Sequence, residues 1–544
     1  MRYRGQGGAT ARQRGDGPAS RRTFLGGALR AGGGLVGAAL LPRPLAGAPA
    51  LVTPEAARPT APYGAAVGDV TGDRAIVWSR SDRPARLFVE WSTRESFADA
   101  RRVPGPAALE ADGLTARLDL DGLPPGQRIV YRVLFQDLRA PRAWSLPVQG
   151  SFRTPPAGPA DVRLAFSADT CGQGWGIDEA RGGMRLYESV RRAAPDLFVH
   201  CGDTIYADQP LAAERTLDDG TVWRNLVTPA KSKVAETLDE FRGNHLYNRL
   251  DANLRRFESE VSQLVIWDDH EVVDNWYPGE QLEDPRYTER SVSLLAARAR
   301  RAFLEHVPLR ATPGDPERIY RALPFGDQLE VLAIDMRSER GPNSANRQAA
   351  PGPDTALLGP AQLGWLKARL AASRATWKVI ASDMPLGLVV RDGGEAFEAV
   401  ANGDDGPPQG REHEIADLLS FLKARDVRNV VWITGDVHYA AVHRYSPERA
   451  RFKDFLPFHE IVAGPAHAGT FGPAALDMTF GPEVRFLAIP PGMAPNRPPS
   501  DGLQFFGLVE VEGRSGVLGV EIRNRDGATL HRLELEPERG GAGR

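Results

Sequence analysis

A chain of 544 residues is long enough for more than one domain, and 42% hydrophobic with 25% charged residues is the balance of a folded globular protein. The formal charge of −3 conceals an asymmetry: residues 1–50 hold eight Arg, one Asp and no Lys, which leaves about −10 on the rest. An acidic body with no basic patch argues against nucleic acid as a specific partner, and two cysteines, Cys171 and Cys201, exclude a disulfide framework.

In chain order, Ser20-Arg21-Arg22-Thr23-Phe24-Leu25 opens a Gly/Ala-rich, weakly apolar stretch, and Ala48-Pro49-Ala50 is a small-x-small cleavage pattern. Residues 1–50 resemble a twin-arginine export signal, which implies the twin-arginine translocation machinery as a partner and a periplasmic or extracellular location. Gly32-Gly33-Gly34 makes a poor spanning helix, and no membrane span is expected in the mature chain. Residues 51–62 read as a Pro/Ala-rich linker.

Residues 63–154 show short alternating strands without helical period, as in Ala75–Ser79, Arg86–Trp91, Thr115–Leu120 and Ile129–Phe135. With no Cys pair, this spacing predicts a small fibronectin type III-like β-sandwich. Thr154-Pro155-Pro156 marks a second boundary, after which strands and helices alternate over 163–535 in an α/β pattern. Expected elements include the strand Arg163–Ser167, the helix Met184–Ala194, the strand Leu197–His200, a helical stretch over 238–261, and a helix over Leu294–Val307. Residues 339–360 and 391–411 read as long loops, which are more often functional than idle. Residues 536–544 form the tail.

The chemistry is concentrated where apolar runs end. Leu197-Phe198-Val199 leads to Gly202-Asp203-Thr204-Ile205-Tyr206, Leu264-Val265-Ile266 to Trp267-Asp268-Asp269-His270-Glu271, and Val430–Ile433 to Gly435-Asp436-Val437-His438. Each reads as a buried strand delivering carboxylates, a Tyr or a His at its C-terminal end, the edge where open α/β sheets bind ligands. Carboxylates gathered there repel one another unless cations lie between them, so a metal centre is expected. Two metal ions can lower the pKa of a water and hold phosphoryl oxygens, which is what phosphate-ester hydrolysis needs. Asp203 is the natural bridging carboxylate. Tyr206, one turn on, supplies a phenolate suited to ferric iron. Asp269, His270, Asp436 and His438 are further candidates. Asp169 and Cys171 follow the strand Arg163–Ser167, and either or both is a candidate ligand; the cysteines could equally bridge or be two small buried residues. Arg337, after the strand Val331–Ile334, could grip phosphate or form a structural salt bridge. Asp383 in Ala381-Ser382-Asp383-Met384-Pro385 is a carboxylate of the kind that suits calcium. His443 reads as structural. Gly243-Asn244-His245 looks like a ligand motif but has no strand before it. Glu412-His413-Glu414 lacks the second His of a zinc-protease helix, and no Gly-x-Ser-x-Gly element supports a serine hydrolase.

Gly202-Asp203-x-x-Tyr206, Trp267-Asp268-Asp269-His270-Glu271 and Thr434-Gly435-Asp436-Val437-His438, in that order, resemble the calcium-dependent alkaline phosphatase D (PhoD-like) family of metallophosphoesterases, relatives of purple acid phosphatases. The resemblance covers essentially the whole chain. It implies a two-sheet sandwich flanked by helices behind a small β-domain, phosphomonoesterase or phosphodiesterase activity, Fe3+ and Ca2+ as cofactors, and a phosphate-ester substrate. It implies that Asp203 bridges the metals, that Tyr206 binds iron, and that Asp436 and His438 are ligands. Asp269 then stands where wider relatives have Asn, and His270 contacts the phosphoryl group or protonates the leaving oxygen. The family usually places Ser-Cys-Gln after the first strand; here Ala168-Asp169 precedes Thr170-Cys171-Gly172, as if two residues were inserted. The expected reaction is direct attack on phosphorus by a metal-bound hydroxide without a phosphoenzyme. The alternatives are phospholipase D-like diesterase activity on phospholipids and a non-catalytic exported binding protein.

Overall fold

The computed structural model describes residues 55–538. The expected export signal at 1–50, the start of the linker and the end of the tail lie outside the described residues. Two mixed sheets face each other across a core. The first has nine strands in the order Thr529–Leu535, Leu518–Asn524, Phe505–Val511, Val162–Ser167, Leu197–Cys201, Gln263–Ile266, Ala65–Gly68, Ala75–Arg80 and Thr115–Leu120. The second has seven, in the order Arg321–Phe325, Leu329–Ala333, Trp377–Ala381, Val430–Thr434, Phe458–Val462, Ala441–Tyr445 and Pro482–Leu487.

Leu164, Phe166, Val199 and Ile266 from one sheet pack with Val331, Val379, Val431 and Ile433 from the other. Each such side chain, fully buried, stabilises the fold by about 1.5–3 kcal/mol. The outward faces are covered too. Ala165 and Phe198 meet the helices Arg185–Arg192 and Ala252–Glu260. Leu332, Ile380 and Trp432 meet Gly359–Ala372 and Glu412–Ala424. Burial on both faces is why these strands read as unbroken apolar runs.

Parallel pairing fixes where the runs end. Val162–Ser167, Leu197–Cys201 and Gln263–Ile266 are mutually parallel neighbours, as are Leu329–Ala333, Trp377–Ala381 and Val430–Thr434. Their C-terminal turns therefore emerge along one edge of each sheet.

Three features depart from the sequence expectation. The helical stretch at 238–261 is two helices, Leu238–Asn248 and Ala252–Glu260, because the Asp251 carboxylate accepts from the amides of Asn253 and Leu254 and starts a new helix. Arg101–Ala108, for which the sequence reading named no element, is a strand despite Pro104 and Pro106; it lies at the edge of a four-stranded sheet, where missing N–H donors are tolerated. The N-terminal β-sandwich also joins the larger body directly. Ala65–Gly68 runs parallel to Gln263–Ile266, with Gly68 opposite Gln263. A buried Asp69–Arg321 ion pair at 2.9 Å and a 2.8 Å bond from Trp78 Nε1 to the Glu305 carbonyl brace the joint. No helix among the described residues is long and apolar enough to cross a membrane.

Candidate metal centre

The turns that follow the strands are unusually sharp. Asp169, Asp203, Asp436 and His438 all adopt left-handed backbone conformations, with φ of 65, 54, 66 and 60°. Non-glycine residues hold this region at some cost, and Asp bears it better than most. The turns also lie close together. A Cβ on Gly435 would run into Ala168 from the opposite sheet, and one on Gly172 would run into the Tyr206 ring.

Ligand atoms of Asp169, Asp203 and His438 lie within 4.8 Å of one another, as do those of Asp203, Asp269 and His270, and those of Asp268, Asp269 and Asp436. Asp203 and Asp269 are each shared between groups, so the three form one chain of donors. Both oxygens of the fully buried Asp169 carboxylate lack a hydrogen-bond partner. A buried unpartnered carboxylate is strongly disfavoured unless a cation meets it. His438 Nδ1 lies 2.6 Å from the Gly469 carbonyl, which can only accept, so the proton sits on Nδ1 and Nε2 is left toward Asp169 and the Tyr206 hydroxyl, 2.9 Å away. Fixing one imidazole nitrogen on a carbonyl is the usual support of a metal-binding histidine. These donors fit a metal centre.

The electrostatics agree. Burial pushes the carboxyls of Asp169, Asp203, Asp268 and Asp436 well above the usual range, with neighbouring carboxylates adding to the rise. Burial pushes the Tyr206 phenol up and brings His438 down to about 4. Asp269 differs: burial raises it, but the charges on His270 and Arg337 and the amides of Asn275 and His270 outweigh that and hold it below the usual value. His270 is opposed by burial, yet Asp208, Asp269 and Asp203 hold its pKa well above the ordinary one.

A cleft of about 520 Å³ opens over this centre, with Asp203, Asp269, His270, Asp436 and His438 among its lining residues. Val389, Val390, Val437, Phe471 and Pro473 form an apolar part of its wall. No Ser, Thr or Cys lines it among the described residues.

Cys171 and Arg337, both expected site residues, are not among those that line the cleft. Cys171 is turned into a hydrophobic cluster with Ile177, Met184, Tyr187 and Tyr247, and it joins none of the donor groups. The Asp169 carboxylate is the group from this segment that lies with Asp203 and His438. Arg337 does not reach the cleft. It is 0% exposed, and its guanidinium pairs with Asp268 at 2.5 Å, with Asp383 at 3.3 Å and with Glu398. Asp383 is thus a partner of Arg337 rather than a member of a donor group. Cys201 is buried and free, like Cys171. His443 bonds to Glu460 in the core, and His245 stacks on His306 away from the cleft.

The sequence reading missed Asp208 and Glu398. Asp208 is buried and sets both oxygens 2.9 and 3.0 Å from His270 Nδ1. Its signal was its place two residues after Tyr206, on the same turn. Glu398 lines the cleft and binds Arg337 from the loop 391–411, with no local pattern to mark it.

A family model described as PhoD-like phosphatase matches residues 164–522, and one for the N-terminal domain of PhoD-like phosphatases matches residues 46–156. Alkaline phosphatase D of Bacillus subtilis (strain 168) is 28% identical over 398 residues. That match takes in 69% of this chain and 64% of the relative, so the chain spans somewhat less than two thirds of its length. A solved structure of PhoD superposes with a TM-score of 0.64 at 20% identity, covering 89% of this chain and 93% of that one. The purple acid phosphatase PPD1 of yellow lupin (Lupinus luteus) superposes with a TM-score of 0.51 at 13% identity, covering 88% and 74%. At those identities the two structures speak for the fold alone. With its N-terminal β-sandwich and two-sheet body, the chain belongs to the PhoD-like phosphatase family.

Proposed function

We propose that this protein is an exported, metal-dependent phosphoric ester hydrolase of the alkaline phosphatase D type. The observation that carries this reading is the continuous chain of donors, Asp169–Asp203–His438 running through Asp269 to Asp436, on the floor of an open cleft. Cations held there would activate water and offset charge on the phosphoryl oxygens. Asp169, Asp203, Tyr206 and His438 offer a hard oxygen- and nitrogen-rich set suited to Fe3+, with Asp203 shared. Asp203, Asp269 and Asp436 offer carboxylate oxygens alone, the chemistry that suits Ca2+.

The chain's own groups supply the rest. Asp208 fixes His270 Nδ1, which leaves Nε2 to protonate the departing alcohol oxygen. Water rather than a side chain attacks phosphorus, because no Ser, Thr or Cys lines the cleft among the described residues and the Tyr439 phenol, held protonated by burial, accepts from the Ala474 amide. The apolar wall gives an organic substituent a place to lie, which keeps a phosphodiester, including a phospholipid head group, as a second substrate class. Family membership and the Arg21-Arg22 pair support a periplasmic or extracellular location reached by the twin-arginine route.

The test is hydrolysis of a chromogenic phosphomonoester beside its diester analogue, with and without chelator, in wild type, Asp203→Asn and His270→Ala. Either substitution is expected to lower kcat about 100-fold or more. Turnover that survives chelation, or near-normal kcat in both variants, refutes the assignment. A trapped phosphoserine refutes direct attack by water.

A further inference from the structure

We propose that Arg391 is the anion-recognition residue of the cleft, holding the substrate's phosphoryl oxygens in the ground state and thereby setting KM. The inference rests on the phosphoesterase reading and deepens it. Asp203, Asp269, Asp274, Glu398 and Asp436 line the cleft, and among the described lining residues Arg391 is the only Lys or Arg. An entering phosphate ester meets a wall of carboxylates, so a cation beyond the metals is needed to draw it in.

The other arginines nearby are committed elsewhere. Arg337, Arg340 and Arg411 are all buried, at 0, 2 and 1% exposure. Arg337 binds carboxylates, Arg340 the Glu398 carbonyl, and Arg411 the carbonyls of Gly341, Pro342, Phe397 and Glu398. They brace the loops 339–360 and 391–411 from behind. Arg391 is exposed, no carboxylate among the described residues pairs with it, and its guanidinium lies over the Phe397 ring at 4.8 Å. Stacking fixes the plane of a guanidinium while leaving its N–H edge free to bind an oxyanion.

The backbone that carries it is held firmly. Residues 390–398 form a hairpin, with the Asp392 amide bonded to the Ala396 carbonyl and the Glu398 amide to the Val390 carbonyl. The Asp392 carboxylate accepts from Asn275 Nδ2 at 3.0 Å and Asn343 Nδ2 at 2.8 Å, which ties the hairpin to the turn after His270. A guanidinium so placed is set against the anion as it binds and develops no new contact during the reaction, so its loss should fall on KM rather than kcat.

The experiment uses the full, metal-loaded chain as wild type, Arg391→Ala and Arg391→Lys, with metal content measured for each. Expected for Arg391→Ala is a KM for p-nitrophenyl phosphate raised about 10- to 100-fold, kcat within about twofold, and unchanged metal content. The inhibition constant of inorganic phosphate should rise in parallel. Arg391→Lys should lie between, because it keeps the charge but loses the planar fork. KM and the phosphate constant both within twofold of wild type in Arg391→Ala would overturn the proposal, as would a fall in kcat with phosphate affinity intact. Calorimetric titration with inorganic phosphate separates the two levels of inference. If wild type binds phosphate through Arg391 but hydrolyses no ester, the phosphoesterase reading fails and the anion site stands.

Discussion

Replacing Arg337 with Met tests whether this residue braces the site or touches the substrate. Its guanidinium is 0% exposed, with Nη2 at 2.5 Å from Asp268, Nε at 3.3 Å from Asp383, and Glu398 also in contact. Asp269 and Asp436 follow at 3.8 and 3.9 Å. Met fills similar volume but leaves Asp268, Asp383 and Glu398 buried around no cation, apart from Arg340 at 4.0 Å from Glu398. Breaking a buried pair in this way costs about 3–5 kcal/mol. At ~2 cal/mol/K of unfolding entropy per residue, a chain of this length loses about 3–5 °C in Tm. The loss should grow with pH. Burial already holds the Asp268, Asp383 and Glu398 carboxyls above their unfolded pKa values, and without Arg337 they rise further. Below the unfolded pKa both states are protonated and the penalty vanishes; above it the folded chain must hold protons the unfolded chain has released, or bear the charge. Calorimetry of chelated wild type and variant at pH 5.5 and 8 reads this directly, with KM of the reloaded enzymes measured alongside. A tenfold rise in KM with Tm unchanged would refute the bracing role and restore the phosphate-gripping role that the sequence suggested.

Asp169→Asn is expected to abolish tight iron retention and any tyrosinate-to-iron absorption band, whereas Cys171→Ala, outside the donor groups, should leave both intact; metal analysis with visible spectroscopy separates them. Asp208→Asn removes the anion from His270 Nδ1 and should lower kcat about 10- to 100-fold with little change in metal content, measured by steady-state kinetics and elemental analysis. Metal-free protein should lose stability as pH rises from 6 to 9. Burial raises the folded pKa of Asp169, Asp203 and Asp436 above the unfolded value, so the folded state binds more protons than the unfolded one there. Bound metal should remove this slope, and equal slopes with and without metal in calorimetric scans would contradict it.

What the sequence made legible follows from how the sheets are buried. Leu197–Cys201, Gln263–Ile266 and Val430–Thr434 are covered on both faces, so they stand out as apolar runs, and the polar residues after them stand out as turns. Ligand candidates on those turns were visible for that reason. The choice between Asp169 and Cys171 was not, because both follow the same strand two residues apart and both have positive φ, at 65° each. Close packing of Gly172 under the Tyr206 ring shapes this turn, and that contact is remote in sequence. Glu398 and Arg391 come from a loop whose position depends on Arg411, Asn275 and Asn343, none of them local. The joint between the N-terminal β-sandwich and the larger sheet rests on a short parallel pairing and the Asp69–Arg321 pair, for which neither partner carries a local signal.

The run Trp267-Asp268-Asp269-His270-Glu271 shows why one turn needs so many polar residues. Consecutive carboxylates divide front from back: Asp269 lines the cleft, while Asp268 is fully buried against Arg337. Trp267 donates from Nε1 to Asp335 at 3.0 Å, and Asp335 in turn accepts from the Arg337 amide, so the ring orders the segment that carries the buried cation. Glu271 accepts from the Thr204 amide and hydroxyl with one oxygen and from the Asp268 amide with the other, fastening the Asp203 turn to this one. Asp203 and Asp269, which share a donor group, are thereby held at fixed spacing by a residue outside the donor groups. Arg337 behind the carboxylates carries a single charge, and the Asp169 oxygens are beyond its pairing distance. The remaining negative charge faces the cleft, where the only cationic side chains among the described lining residues are His270 and Arg391, and a pair of multivalent ions would complete the arrangement.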